Sequence, residues 1–240
     1  DMFNNLIISV LAALATGGAV VTSQFLGAGK KEDACKSAKQ LIVSSVCITI
    51  GISILVMVFC NGIISLFFGK IEADVFHNAV IYMMISALSF PFLALYNSCA
   101  ALFRSMGNSQ ITLKVSVVEN IINIGGNALG VYVLGLGVAG VAIATVVSQA
   151  ISCVLVLRCL YKSEGSYQLR FSKLCMKKDY IIPIFQVGIP AGIQSTVINF
   201  SNVLLQSSVN SFGSIAMAGY TAANNVLGFL YTSVNSVTQA

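Results

Sequence analysis

The chain has 240 residues, a net charge of +5 and 9% charged residues, and its mean hydropathy is +0.88. Soluble domains carry about 25% charged residues, so this composition excludes an ordinary soluble globular protein and predicts a membrane protein. A helix that crosses a bilayer needs roughly 20 mostly apolar residues. Seven segments meet that requirement, near residues 3–21, 41–62, 78–100, 111–133, 138–157, 181–210 and 217–240. They lack the alternating pattern of a membrane β-barrel, so we predict an all-α polytopic helical bundle.

The ends of the chain and its cysteines support two smaller predictions. Asp1 lies in the approach to the first span, and the last span runs to Ala240 without a closing polar tail, so we expect a fragment of a longer protein. The cysteines are scattered along the chain and form no CxxC pair. Cysteines in that pattern are typical packing residues, and we predict neither a metal site nor a disulfide set from them.

The basic residues divide the connections between spans into two groups. Twelve of the 13 Lys and Arg residues lie in or beside the first, third and fifth connections, and only Lys70 lies on the other side. Cytoplasmic loops retain Lys and Arg, so we predict a plasma-membrane protein whose segments 22–40, 101–110 and 158–180 are cytoplasmic. A nucleic-acid partner would need basic residues clustered on a folded domain, and we expect no such partner.

The fifth connection is the longest and most polar, and it contains the sequence YKSEGSYQLRFSKLCMKKDY. It divides five spans from the two that follow. We therefore predict an amino-terminal lobe at 1–160, a cytoplasmic linker at 161–180 and the start of a carboxy-terminal lobe at 181–240. The linker sequence is compatible with an amphipathic helix on the inner leaflet and equally with a plain basic connection.

The fourth span contains the stretch ENIINIGGN, which is unusually polar for this chain. Glu119, Asn123 and Asn127 are spaced four residues apart, so they share one helix face. An ionisable group at the bilayer centre costs about 2.5 to 3.5 kcal/mol on insertion scales, so we expect this face to point away from lipid. Two interpretations remain. The face either holds helices together through hydrogen bonds or lines a water-filled pathway for a substrate or an ion.

Polar residues at helical spacing also occupy other spans. They are Ser195, Asn199, Asn202, Gln206 and Asn210 in the sixth span, and Asn224, Gly228, Tyr231, Asn235 and Gln239 in the seventh. Three helices with long polar faces predict a shared cavity, and its second-lobe residues are predicted to be Asn199, Asn202, Gln206 and Asn235. Tyr82 and Thr145 lie in shorter stripes, and either hydroxyl could donate to a substrate or to an ion-binding neighbour. The spans hold no paired carboxylates and no phosphate-binding loop, so we predict neither an enzyme nor a cofactor.

Four segments resemble one family in the same order along the chain. They are SQFLGAGKKEDA at 23–34, FRSMGNSQ at 103–110, NIGGNALGVYVLGLGVAGVAIATVVSQ at 123–149 and VGIPAGIQS at 187–195. Together they resemble the multidrug and toxic compound extrusion (MATE) transporters over nearly the whole chain. The resemblance implies helices two to eight of a twelve-helix protein with a two-lobe, inverted-V architecture, in which the predicted linker joins the lobes.

The resemblance also implies an activity and a site. MATE transporters export small organic cations or amphiphilic drugs in exchange for H⁺ or Na⁺, within the lipid bilayer and without an obligate protein partner. The family's amino-terminal site falls on Asn123, Asn127 and Thr145 and, more loosely, on Tyr82. Asn127 stands where well-studied members have an aspartate, and an amide can ligate Na⁺ but cannot exchange a proton. Glu119 is the acidic residue left within a span, so either it substitutes or the missing first helix carries the acid.

Two other functions are compatible with the sequence. A lipid-linked oligosaccharide flippase of similar fold should carry a cationic cavity for phosphate, and the spans hold almost no Lys or Arg. A non-transporting membrane scaffold should lack polar faces on three separate helices. We therefore favour a secondary active efflux transporter that works by alternating access.

Overall fold

A computed structural model describes residues 2–68, 73–162, 178–210 and 214–238. These residues form seven helices and one π-helical turn: α1 (Met2–Gly27), α2 (Lys31–Phe68), α3 (Ala73–Ser105), α4 (Ser109–Ala128) with the turn Leu129–Val133, α5 (Gly137–Lys162), α6 (Lys178–Asn210) and α7 (Ser214–Thr238). No strand occurs within those ranges. The predicted all-α fold is confirmed.

Five helices are long and apolar enough to cross a membrane, over Ile7–Gly27, Lys31–Ser65, Phe76–Ser105, Gly137–Lys162 and Lys178–Asn202. Of the seven predicted spans, those in α4 and α7 do not meet that criterion over the described residues. In α4 the reason is its own polarity, since Lys114, Glu119 and several asparagines fall within only 20 residues. Two helices, α2 and α3, begin and end several residues beyond the predicted spans, and α1 and α5 end several residues later than predicted, because the helical hydrogen bonds continue past the apolar core of each segment.

The helices pack around α1 and α3. The most extensive neighbours of α1 are α6, α2 and α3, whereas α3 lies against α2 and α5, and α4 packs chiefly on α5. The largest buried apolar cluster draws on six helices, through Leu14, Leu41, Phe103, Val115, Val156 and Ile184. This cluster therefore joins α6 to the amino-terminal helices, although residues 163–177 of the predicted linker lie outside the described ranges.

Two glycines end helices at the side predicted to be cytoplasmic. Gly29 after α1 and Gly107 after α3 have φ angles of 74° and 72°, a region that side chains with a Cβ rarely adopt. In each turn the glycine N–H and the next N–H bond back to carbonyls of the last helical turn, as Lys30 does to Phe25 at 2.9 Å. This is the Schellman arrangement. It lets α1 turn within a few residues into α2, and α3 into α4.

Candidate functional site

Small residues bring α4 and α5 unusually close together. A Cβ atom placed on Gly126 would lie 2.9 Å from the Cβ atom of Ala144. A Cβ atom on Gly140 would lie 2.9 Å from the carbonyl of Gly130. Side chains larger than these would force the backbones apart, as at other helix contacts built on small residues. Short polar side chains on the two helices can therefore reach one another.

The polar face of α4 forms a hydrogen-bonded network with α5. Nδ2 of Asn123 donates to Oγ1 of Thr145 at 3.3 Å and to Oγ of Ser148 at 3.2 Å. Nδ2 of Asn127 donates to Oδ1 of Asn123 at 3.0 Å. The two asparagines and Thr145 are half-buried, and Ser148 is buried. Asn123, Asn127 and Thr145, three of the predicted site residues, thus lie together. Ser148, which was not predicted, belongs to the same network.

The backbone fixes the direction of this network. The hydroxyls of Thr145 and Ser148 donate to carbonyls of their own helix, at Val141 (3.0 Å) and Thr145 (2.9 Å). Each hydroxyl has one proton, so toward α4 both can only accept. Asn123 must therefore present its NH₂ group to α5 and its oxygen to Asn127, which in turn must present its own NH₂ group.

The hydrogen-bond network ends at the side-chain oxygen of Asn127, to which no described group donates. Oδ1 of Asn127 is shielded from solvent and has no hydrogen-bond partner within the described part of the chain. An unsatisfied buried acceptor costs about 1 to 3 kcal/mol. A bound water or a cation at this oxygen would remove that cost. The arrangement therefore provides an acceptor oxygen on a side chain whose orientation is fixed by its hydrogen bond to Asn123.

Glu119 continues the polar face one turn earlier along α4. Its carboxyl is half-buried and lies near the hydroxyl of Ser152 on α5, which donates to the carbonyl of Ser148 at 3.0 Å. From α3, Tyr96 lies near this carboxyl and near Ser116 on α4. The one acidic residue of the stripe therefore lies at a meeting of three helices, separate from the Asn123–Thr145 contact.

The remaining predicted site residues occupy other surroundings. Tyr82 is half-buried on α3, and its binding role stays a prediction. Nδ2 of Asn199 donates to Oγ of Ser9 on α1 at 2.8 Å, whereas Asn202 is exposed. The side chains of Gln206 and Asn235 lie outside the described residues. Within the described ranges α4 contacts α3 and α5 but neither α6 nor α7, so the polar faces of α4 and α6 do not touch.

Ser148 is the residue that sequence reasoning missed. It accepts from Asn123 and is 1% exposed. The available signal was its position one turn after Thr145, because residues three apart lie on the same helix face. Serines in spans usually bond to their own backbone. Ser148 does so as well. Because this bond is common, nothing in the sequence pattern indicates the second contact, with Asn123.

The chain was compared with known families, relatives and solved structures. The MatE family model matches residues 1–129. The probable multidrug resistance protein YoeA of Bacillus subtilis (strain 168) is 28% identical over 236 residues, or 94% of this chain and 50% of that protein. The multidrug export protein MepA of Staphylococcus saprophyticus is 25% identical over 151 residues, or 62% of this chain and 33% of that protein. The chain thus spans about half the length of YoeA.

Solved structures show the same fold. The outward-facing conformation of a multidrug resistance MATE family transporter matches with a TM-score of 0.86 at 18% identity, over 99% of this chain and 52% of that one. An inward-facing conformation of such a transporter matches with a TM-score of 0.81 at 20% identity, over 95% and 52%. Together with the five apolar helices, these findings identify a multi-pass protein of the plasma membrane. Because the family model covers more than half of its residues, the chain belongs to the MatE family.

Proposed function

We propose that this chain is part of a secondary active efflux transporter, which exports cationic or amphiphilic compounds in exchange for Na⁺ or H⁺. Membership of the MatE family and relatives named for multidrug resistance and multidrug export support a transport role. In this proposal residues 1–160 and 181–240 belong to two lobes, and alternating access arises from movement between them around a shared pathway. In this proposal residues 22–40, 101–110 and 158–180 lie on the cytoplasmic side of the membrane.

The proposal rests on the side-chain oxygen of Asn127, which has no hydrogen-bond partner among the described residues. Hard cations in proteins are bound by carbonyl, hydroxyl and carboxylate oxygens, and Asn127, Asn123 and Thr145 supply the first two kinds. None of these side chains titrates near neutral pH. The network therefore favours Na⁺ as the ion bound there. Glu119 is the residue through which H⁺ coupling would operate instead.

Transport in proteoliposomes tests the proposal. The protein would be the longest reading frame that contains these 240 residues, and the readout would be efflux of a fluorescent organic cation. We expect accumulation of the dye against its gradient when a Na⁺ gradient is imposed, and no accumulation when Na⁺ is equal on both sides. Dye movement that ignores both the Na⁺ and the H⁺ gradient would contradict secondary active transport.

A pair of asparagine variants tests the site. Asn123→Ala removes the donor to Thr145 and Ser148, and we expect gradient-driven transport to be lost at unchanged expression. Asn120→Ala is the matched control, because Asn120 is exposed on the same helix and bonds at 2.9 Å to the carbonyl of Ser116. If Asn123→Ala and Asn120→Ala transported the dye equally well, the network would serve only as a packing contact between α4 and α5.

A further inference from the structure

A polar cavity of about 510 Å³ lies between α1 and α3, and none of its lining residues belongs to the Asn123 network. Its walls include Thr16 and Ser23 on α1 and Asn97, Ala101 and Arg104 on α3. Arg104 is in the last turn of α3, so the cavity reaches the helix ends that are predicted to be cytoplasmic. Its volume lies within the range of roughly 300 to 1,000 Å³ that is typical of small-molecule sites.

The polar groups of this cavity are suited to an anion. Arg104 brings a guanidinium group, which has five N–H donors and can bind an oxyanion through two of them while it keeps other contacts. Nδ2 of Asn97 is buried and has no hydrogen-bond partner among the described residues. Asn97 belongs to the cavity lining, and the terminal torsion of asparagine is soft, so this donor can reorient toward a bound ligand. No carboxylate belongs to the described lining.

The spacing of these groups sets the kind of anion. Asn97 and Arg104 are seven residues apart on one helix, which places them roughly 10 Å apart along its axis. Small residues separate them, with Ala101 on α3 facing Ala19 on α1 in one buried contact cluster. We infer that the cavity binds an organic anion. Its phosphate or carboxylate group pairs with Arg104, and a second acceptor atom elsewhere in the same molecule accepts a hydrogen bond from Asn97. Such an anion could be a soluble compound or the headgroup of an anionic lipid.

Binding to the protein in phosphatidylcholine nanodiscs tests the inference, with hexyl phosphate as the soluble probe. We expect saturable binding that weakens about tenfold or more in Arg104→Gln, since hydrogen bonds to charged groups contribute about 1.5 to 3 kcal/mol. Lys114→Gln is the matched control, because Lys114 is an exposed cation on α4 and should leave binding unchanged. A parallel arm measures retention of phosphatidylglycerol by native mass spectrometry from nanodiscs that contain it. Loss of retention in Arg104→Gln alone assigns the site to lipid.

Asn97→Leu separates ligand binding from a purely structural role. The leucine removes a buried donor that has no partner, so we expect the unliganded variant to melt at the same temperature as the parent or higher. Binding of hexyl phosphate or retention of phosphatidylglycerol should nevertheless fall several-fold. The inference is overturned if neither probe binds, or if Arg104→Gln and Lys114→Gln reduce binding equally.

Discussion

The hydroxyl of Tyr180 donates a 2.8 Å hydrogen bond to Oδ1 of Asp33, across 147 residues of sequence. Asp33 also lies 3.7 Å from Nζ of Lys36, and the Tyr180 ring packs edge-on against Phe25 with ring centroids 5.8 Å apart. These contacts join the first turn of α6 to the first turn of α2 and the end of α1. They fix where α6 begins relative to the amino-terminal helices.

Removing that hydroxyl should destabilise the bundle. Tyr180→Phe deletes the bond to Asp33, and we expect a loss of about 1 kcal/mol in the free energy of unfolding, since the aspartate is partly solvated. Detergent unfolding of Tyr180→Phe, Asp33→Ala and the double variant measures the coupling. Glu32→Gln is the control, because Glu32 pairs with Lys36 at a side-chain exposure of 85% and such pairs contribute about 0.5 kcal/mol or less. Additive single losses would show that the Tyr180–Asp33 contact contributes nothing.

The contact between α1 and α6 should tolerate no added methyl group at Gly17. A Cβ atom there would lie 2.6 Å from the backbone nitrogen of Gly188, so Gly17→Ala must push the helices apart. We expect a destabilisation of about 1 to 3 kcal/mol, as for other overpacked contacts. Gly51→Ala on α2 meets no atom within 4 Å and should stabilise its helix by up to about 1 kcal/mol. Similar melting temperatures for the two variants would contradict the close packing.

Features set by local pattern could be predicted from the sequence. Apolar runs gave the seven helices, and the four-residue spacing of Glu119, Asn123 and Asn127 indicated one polar face, which all three share as half-buried residues. These properties depend on residues a few positions apart, which helix geometry alone brings together.

Contacts between distant helices could not be predicted in this way. Nothing in the spacing of α6 indicates that Asn199 meets Ser9 or that Tyr180 meets Asp33, because those pairs depend on which helices become neighbours. The shared cavity stays a prediction. In the described residues α4 packs on α5 and α6 packs on α1, and helices that line one cavity need not touch each other.

Ser148→Ala should loosen the α4–α5 network without destroying the fold. The variant leaves Nδ2 of Asn123 with Thr145 as its acceptor, and it removes a hydroxyl from a buried position. We expect a loss of about 0.5 to 1.5 kcal/mol, the usual contribution of one hydrogen bond. Na⁺-dependent transport should fall because Asn123 is less well oriented. Ser201→Ala is the control, since Ser201 is exposed and bonds to its own helix at Val197; an equal transport defect there would rule out a specific role for Ser148.

Asn127→Asp should make the network depend on pH. In the parent, Nδ2 of Asn127 donates to Oδ1 of Asn123 at 3.0 Å. A protonated aspartic acid can still donate in that place, but an aspartate cannot. As the pH rises and the acid ionises, two oxygens face each other, so the Na⁺-free variant should melt at a lower temperature at pH 8 than at pH 5.5. Bound Na⁺ relieves that repulsion, and its stabilising effect should therefore be larger at pH 8 than at pH 5.5 and larger than in the parent.

Asn120→Asp places the same charge on the exposed part of α4 and should show neither effect. A Na⁺ response in Asn127→Asp that matches the parent at both pH values would show that the cation binds elsewhere.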